Sequence, residues 1–289
     1  MDRYLQPQLS GGLCNKLFCL FSACDIAIKN NTSIVDPIFG WARKILFSDI
    51  YDIDYFNESM KPYFNGSNII IKNEDVQPNS QIIRLDWLWE YSENVLKKQR
   101  EECKMNKDCM NIVVLKALRI NQKYQYIIDI HGKQELGIHI RTEQDWVNHV
   151  KDNNSFPENE SKLITMDKLT KMIINSDEFM NTKTIFFSCG EEQENIIKEF
   201  KNNNINSLYF FRNEYEYELN AAINFEILVN SKNFVGFTRS TFSNLISCKR
   251  GILNKNNFIY NYDNKLIQRI DLGLQPIAIN SISKKTELA

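Results

Sequence analysis

The chain has no surplus of either charge. Its 35 Lys and Arg stand against 36 Asp and Glu, for a formal net charge of −1. A general nucleic-acid binder shows a basic excess, so that class is set aside. No uninterrupted apolar run approaches the ~18 residues of a membrane-spanning helix, so no span is expected. Met1 to Ser10 is polar and lacks the apolar core of a secretory leader. Histidine is scarce, three in 289 residues, and no Cys-x-x-Cys occurs, which argues against a zinc site. Gly-x-Gly-x-x-Gly and Gly-x-x-x-x-Gly-Lys-Ser/Thr are both missing, so neither of those nucleotide signatures applies. No tandem repeat or low-complexity segment is present.

The seven cysteines are odd in number and show no framework spacing. Cys14, Cys19 and Cys24 fall in one apolar stretch and read as small hydrophobes. Cys103 and Cys109 flank a Lys-rich turn. Without a leader, reduced thiols and a cytoplasmic location are expected. Asn-x-Ser/Thr triplets begin at Asn31, Asn57, Asn65, Asn153 and Asn159, and in a chain this rich in Asn they read as chance.

What is present is an ordinary globular composition, 43% hydrophobic and 25% charged, at a length suited to one large or two medium domains. Tyr4–Leu9 reads as a strand, followed by Ser10-Gly11-Gly12, a helix over 15–29, and a strand over 33–36 ending in Asp36. That is one βαβ unit, which implies a parallel sheet covered by helices. Residues 37–85 are less regular, with a short helix expected at 45–50 and strands at 68–72 and 82–85. One or two helices are expected within 91–126. Alternation resumes with strands expected at 135–140, 184–189, 208–211 and 233–237. The helices between them are expected at 165–175, with Thr165 as N-cap and Asp167 in the first turn, and at 191–201, 216–231 and from 241. The expected fold class is α/β with two Rossmann-like domains facing a central cleft. The expected boundaries are 1–133, 134–265 and a tail at 266–289 that returns to the first domain. Open α/β sheets bind ligands beyond the carboxyl ends of their strands, so chemistry is sought there.

Four segments stand at such ends. Gly11-Gly12-Leu13-Cys14-Asn15-Lys16-Leu17-Phe18 joins strand to helix; its glycines let backbone amides approach an anion, though a plain βα turn reads equally well. Gly137-Ile138-His139-Ile140-Arg141-Thr142-Glu143-Gln144-Asp145-Trp146 runs an apolar strand into His, Arg and two acids. His139 and Arg141 are two apart and share a face of a strand. The guanidinium fork suits a diphosphate. A solvated charge cluster with a satisfied histidine is the bland alternative. Val235-Gly236-Phe237-Thr238-Arg239-Ser240-Thr241-Phe242-Ser243-Asn244 passes from strand to hydroxyls at a helix start, able to cap the helix or to bind phosphate. Ser188-Cys189-Gly190 could support a base or ribose, or be only a turn.

In combination these segments resemble the fucosyltransferase superfamily, which includes the α1,2- and α1,6-fucosyltransferases and the protein O-fucosyltransferases. The family's opening Gly-Gly-x-x-Asn-Gln-Leu-Phe is matched by Gly11, Gly12, Asn15, Leu17 and Phe18, with Lys16 replacing Gln. Its His-x-Arg is matched by His139 and Arg141, and its late Ser-Thr-Phe-Ser by Ser240, Thr241, Phe242 and Ser243. The acid common three residues after the motif arginine is Gln144 here, flanked by Glu143 and Asp145, a form closer to outlying O-fucosyltransferase-like sequences.

The resemblance implies a GT-B glycosyltransferase that uses GDP-fucose, inverts at the anomeric carbon, needs no cofactor and binds no metal. Its partners would be a nucleotide sugar and a glycan acceptor. It implies donor binding by Gly11, Gly12, Asn15, His139, Arg141, Ser240, Thr241 and Phe242, to which Ser188 is added by its place after a strand. Arg141 would stabilise the leaving diphosphate. The residues themselves, not the resemblance, offer Glu143 as the nearest carboxylate for a base, with Asp145 second and Asp36 as an outsider. Alternatives are another donor on the same fold (UDP-xylose, GDP-rhamnose or GDP-mannose) and a non-catalytic nucleotide-sugar or glycan binder, for which the Trp87 and Trp89 pair would be a sugar-stacking candidate. A source whose enzyme works in the cytoplasm, bacterial or viral, fits the lack of leader and anchor.

Overall fold

The computed structural model describes residues 2–40, 42–86, 88, 109–142, 144, 146–148, 163–190, 193–262 and 265–269. Glu143, Asp145, Trp87, Trp89, Asn153 and Asn159 lie outside them. The chain divides into two compact units. The first is Met1–Tyr126 with Arg212–Ile223; the second is Ile127–Phe211 with Asn224–Ala289. Against the expected boundary at 133/134, the break falls within the helix Gln125–His131, and residues 212–223 return to the first unit.

The first unit opens with β1 (Arg3–Pro7), α1 (Leu13–Asn30) and β2 (Ile34–Val35). Helix α1 is apolar on nearly every side, and Leu17, Phe18, Cys19, Leu20 and Phe21 are all buried. Asn31 ends it in the left-handed conformation, φ 49°, its N–H bonded to the last-turn carbonyls. β3 (Ile38–Gly40) and β4 (Ile45–Leu46) form a small antiparallel pair, followed by α2 (Phe47–Ile50). The helix expected from Ile45 therefore begins only at Phe47. An unanticipated helix, α3 (Ile53–Met60), is capped by Asp52, whose side chain accepts the Tyr55 N–H at 2.9 Å. β5 (Ile70–Ile71), β6 (Gln81–Leu85) and α4 (Met110–Ala117) follow. The sheet order is β5-β2-β1-β6, all parallel. Asn57 is buried and bridges the Ile70 backbone through its Nδ2 (2.8 Å to O) and Oδ1 (3.0 Å from N), so this Asn-x-Ser triplet is a structural clamp.

The second unit begins in α5 (Gln125–His131) and continues with β7 (Leu136–His139), α6 (Met166–Ile174), β8 (Thr184–Ser188), α7 (Gln193–Asn202) and β9 (Asn206–Leu208). Then come α8 (Tyr217–Asn230), whose last half belongs here, β10 (Asn233–Gly236), α9 (Thr241–Ile252), β11 (Asn257–Tyr262) and β12 (Lys265–Arg269). Thr165 caps α6 as expected, accepting from the Lys168 N–H at 3.4 Å. The strand expected at 208–211 ends at Leu208 instead. The sheet order is β12-β11-β10-β7-β8-β9, parallel except for β12. Residues 266–269, expected in a tail, are thus part of an edge strand. β9-β8-β7-β10-β11 is the doubly wound order 3-2-1-4-5, and β5-β2-β1-β6 repeats its first four places, so both units are Rossmann-like. In the second, the apolar side chains of β7, β8 and β10 pack on α6 and α7 through Leu136, Ile138, Ile185, Phe187, Val235, Leu169, Ile173 and Phe200.

Arg250 is fully buried in the second unit. It donates to the carbonyls of Leu228, Val229 and Ser231 at the end of α8, and to those of Lys232 and Asn256. Those of Leu228 and Val229 belong to the last turn of α8, whose carbonyls a helix end leaves without partners. Burial lowers its guanidinium to about 10. Cys14, Cys19 and Cys24 are buried free thiols whose ionisation burial disfavours, as their reading as hydrophobes requires. Cys109, by contrast, is disulfide-bonded, which corrects the expectation that all thiols are reduced. No helix among the described residues is long and apolar enough to cross a membrane.

Candidate functional site

In a doubly wound sheet the crevice opens where the strand order reverses. In the second unit that point lies between β7 and β10. The parallel register pairs Ile138 with Val235 and His139 with Ser188, so the carboxyl ends of β10, β7 and β8 share one edge. His139, Arg141, Ser188, Ser240, Thr241 and Phe242 are all brought to that edge. Gly11, Gly12 and Asn15 stand in the first unit instead, after β1, where its sheet order also reverses.

β7 ends at His139, so Arg141 lies just past the strand, and strand alternation does not set its direction. Its backbone N–H donates to Tyr260 Oη at 3.2 Å, and its guanidinium sits 5.2 Å from the Trp146 ring. Trp146 is itself buried edge-on against Phe237, centroids 5.0 Å apart. A cation over an indole face is attracted by the ring quadrupole. Arg141 is thereby held from two sides while its side chain remains half-buried.

His139 is buried. Burial pushes its imidazole well below the usual range, and the nearby Arg141 charge pushes the same way. Its Nδ1 is 2.8 Å from Ser243 Oγ, and its ring lies 4.8 Å from that of Phe242. Ser240 is the cap of α9, its Oγ accepting from the Ser243 N–H at 3.5 Å. Of the hydroxyls considered as caps or phosphate ligands, Ser240 and Ser243 are thus buried in internal bonds. Thr241 remains half-buried at the helix start, where backbone N–H groups favour an anion.

The turn from β10 into α9 is fixed by a buried polar net. Asn261 accepts from the Thr238 N–H at 3.0 Å and donates to Thr238 Oγ1 at 2.6 Å. Asn244 Nδ2 donates to the Thr238 and Ser240 carbonyls at 2.8 and 2.7 Å. Arg269, from β12, donates to Asn244 Oδ1.

In the first unit Gly11 adopts φ 74°, and a Cβ there would lie 2.7 Å from Asn15 Nδ2, so the position needs glycine twice over. Gly12 is the N-cap of α1 without a side-chain cap, and both glycines are exposed. Lys16 is buried and donates to Glu218 and to the Phe39 carbonyl. Asp36 is buried too and accepts the Ser48 N–H at 3.2 Å; burial raises its carboxyl. Its side chain thus holds the start of α2.

No protein-family model matches the chain, and no curated protein matches it in sequence. Solved structures do match in fold. POFUT1 in complex with GDP-fucose superposes with a TM-score of 0.57 at 10% identity, over 86% of this chain and 93% of that one. NodZ α-1,6-fucosyltransferase co-crystallised with GDP gives 0.55 at 12%, over 93% and 98%. The fucosyltransferase NodZ from Bradyrhizobium gives 0.56 at 12%, over 93% and 98%. The chain shares its fold with POFUT1 and NodZ.

Motif reading did not reach the residues that hold the shared α/β edge in place. Tyr260, Asn261 and Arg269 sit on β11 and β12, far along the chain from the turns they brace. The signal that could have found Asn261 is polarity: an Asn within an apolar strand, in Phe258-Ile259-Tyr260-Asn261-Tyr262, needs a partner when buried.

Proposed function

We propose that the chain is a glycosyltransferase that moves fucose from GDP-fucose to a hydroxyl of a glycan, with inversion and without a metal ion. One observation carries the reading. At the switch point of the second sheet, a braced guanidinium (Arg141), a neutral histidine (His139) and the amino end of α9 converge. They do so on a fold shared with proteins crystallised with GDP and GDP-fucose.

The chemistry follows from where charge develops. An acceptor hydroxyl attacks the anomeric carbon on the face opposite the leaving group, the C–O bond to the diphosphate breaks, and negative charge grows on GDP. Fixed donors aimed at that charge lower the barrier because they need no reorganisation. Arg141 supplies the cation, and the amides at Thr241 and Phe242 supply the helix-end field. Ser188 stands one strand over, toward the nucleoside. The acceptor proton passes to Glu143, or to Asp145 as the second candidate, in the sequence that follows Arg141.

Thermal shift with GDP, GDP-fucose, GDP-mannose, UDP and UDP-xylose tests the reading, since a ligand bound at ~100 times its Kd stabilises the native state by about 2.7 kcal/mol. GDP and GDP-fucose are expected to give the largest shifts, and Arg141→Ala to abolish most of them. A larger shift with UDP compounds would replace the donor. Absence of any shift would remove the function.

A further inference from the structure

His139 ends β7, and Ser243 lies in the first turn of α9. Both are buried. Their approach depends on Gly236: a Cβ there would lie 2.9 Å from Ser243 Oγ and 2.8 Å from Ser243 Cβ, so only a glycine admits the serine.

A serine hydroxyl has one hydrogen to donate and two lone pairs to accept with. Ser243 Oγ accepts the backbone N–H of Phe237 at 2.9 Å. That partner can only donate. Its other partner is His139 Nδ1, at 2.8 Å. The hydroxyl hydrogen therefore goes to Nδ1, the one acceptor in reach among the described residues. An imidazole that accepts at Nδ1 and is neutral carries its proton on Nε2. Moving a proton onto Nδ1 would leave the buried Ser243 hydroxyl hydrogen without an acceptor, a costly arrangement. The charged Arg141 two residues on, and burial against the Phe242 ring, also oppose the imidazolium.

We propose that Ser243 is a positioning residue that locks His139 as the neutral Nε2–H tautomer, so that the histidine meets a ligand as a hydrogen-bond donor and not as an acceptor. The inference rests on the proposed nucleotide-sugar reading for its ligand, but not for the tautomer itself. His139 is then neither base nor acid in the transfer. It presents one proton, in one place, at neutral and mildly acidic pH alike.

The test is a long-range proton–nitrogen NMR spectrum of the ligand-free full chain, labelled at histidine nitrogen, with His139 assigned by loss of its signals in His139→Gln. At about pH 6 and pH 8 the wild type should show an unprotonated Nδ1 and a protonated Nε2. Ser243→Ala should give a tautomer mixture, and Ser243→Thr, which keeps the hydroxyl, should restore the single form. A protonated Nδ1 in the wild type, or an unchanged spectrum in Ser243→Ala, would overturn the proposal; if Ser243→Ala does not fold, the wild-type spectrum decides alone. Calorimetric titration with GDP provides the functional arm. Ser243→Ala should weaken GDP about tenfold, the scale of one hydrogen bond. His139→Gln, whose amide N–H can stand near Nε2, should bind better than His139→Asn. Equal binding by those two variants would sink the donor role. Failure of the wild type to bind GDP at all would sink the nucleotide-sugar reading while leaving the tautomer result standing.

Discussion

Lys16 and Glu218 stand 202 residues apart in sequence and form a buried ion pair, with side chains 6% and 9% exposed. The pair fastens α1 to the start of α8, inside the first unit, and the Phe39 carbonyl takes a further bond from the same ammonium. Lys16 stands where the fucosyltransferase pattern that this sequence resembles has glutamine, and here a lysine has a carboxylate to meet. Breaking a buried pair from one side strands the other charge, at about 3–5 kcal/mol. Lys16→Met should therefore lower unfolding stability by about that much in urea titration. Lys16→Met combined with Glu218→Leu should recover most of the loss. Additive losses in the double variant would show that the pair itself is not the source of the stability.

Arg141 gives the second prediction. Its guanidinium is held near Trp146 and its backbone by Tyr260, so it is presented in one place before any ligand arrives. Removing a preorganised charge stabiliser costs on the order of 10²-fold or more in rate. Arg141→Ala should show that loss in the proposed transfer from GDP-fucose, with circular dichroism unchanged. Arg141→Lys should recover little, because an ammonium lacks the planar fork. Tyr260→Phe removes the acceptor of the Arg141 N–H and should cost about 1 kcal/mol of stability or more. Full turnover in folded Arg141→Ala would take this residue out of the mechanism.

The α/β alternation was legible because apolar runs such as Leu136-Gly137-Ile138 and Phe186-Phe187, separated by capped amphipathic helices, carry local signals. Thr165 is one such case: the cap, the acid two residues on and the period agree, and α6 starts where they place it. Other elements were missed for identifiable reasons. Tyr209-Phe210-Phe211 drew the expected strand past its end at Leu208, because aromatic residues carry a strand signal whether or not they pair: Tyr209 stacks on Phe187 with centroids 5.7 Å apart, Phe210 is buried, and Phe211 is exposed. Helix α3 did carry a signal, the Asp52 cap before Ile53, Phe56 and Met60, but it is only eight residues long. The braces from Asn261 and Arg269 leave no trace in local periodicity, since each acts on a turn 23 or 25 residues away. His139 and Arg141 were singled out by their place at the end of an apolar strand, and the fold puts both at the sheet's carboxyl edge. Ser243 was visible as a candidate cap or phosphate ligand, and its contact with His139 came only from the fold, which puts Gly236 beside it.

The imidazole of His139 also makes a prediction for stability against pH. In the unfolded chain it takes up a proton near pH 6.5; in the folded chain it resists until well below that, because of burial and Arg141. The native state thus binds fewer protons between those limits. Stability from this source is complete above about pH 6.5 and falls as pH drops further, by at most ~1.4 kcal/mol per pH unit. His131 is shifted in the same direction by partial burial, so it contributes to the same slope. Urea unfolding at about pH 5, 6 and 7 should show His139→Gln losing less stability on acidification than the wild type. Identical slopes for the two proteins would mean that His139 is not the buried neutral group described.

Arg250 offers the last prediction, because its role is entirely one of satisfaction. Three carbonyls at the end of α8, those of Leu228, Val229 and Ser231, accept from one guanidinium nitrogen at 3.1, 2.9 and 2.6 Å. Asn257 Oδ1 accepts from Nε at 3.1 Å. The side chain thereby joins the end of α8 to the start of β11, beneath the sheet that carries Arg141. An apolar replacement of similar length would fill the volume but leave several buried acceptors without donors, each worth about 1–3 kcal/mol. Arg250→Met should therefore destabilise the second unit by about 3 kcal/mol or more, against the usual neutrality of surface Arg replacements. Arg250→Lys should rescue only part of it, since one ammonium cannot reach both the helix end and Asn257. Protection of the α8 amides in hydrogen exchange reads this directly. If those amides keep wild-type protection in Arg250→Met, the helix end finds other donors and the guanidinium is dispensable.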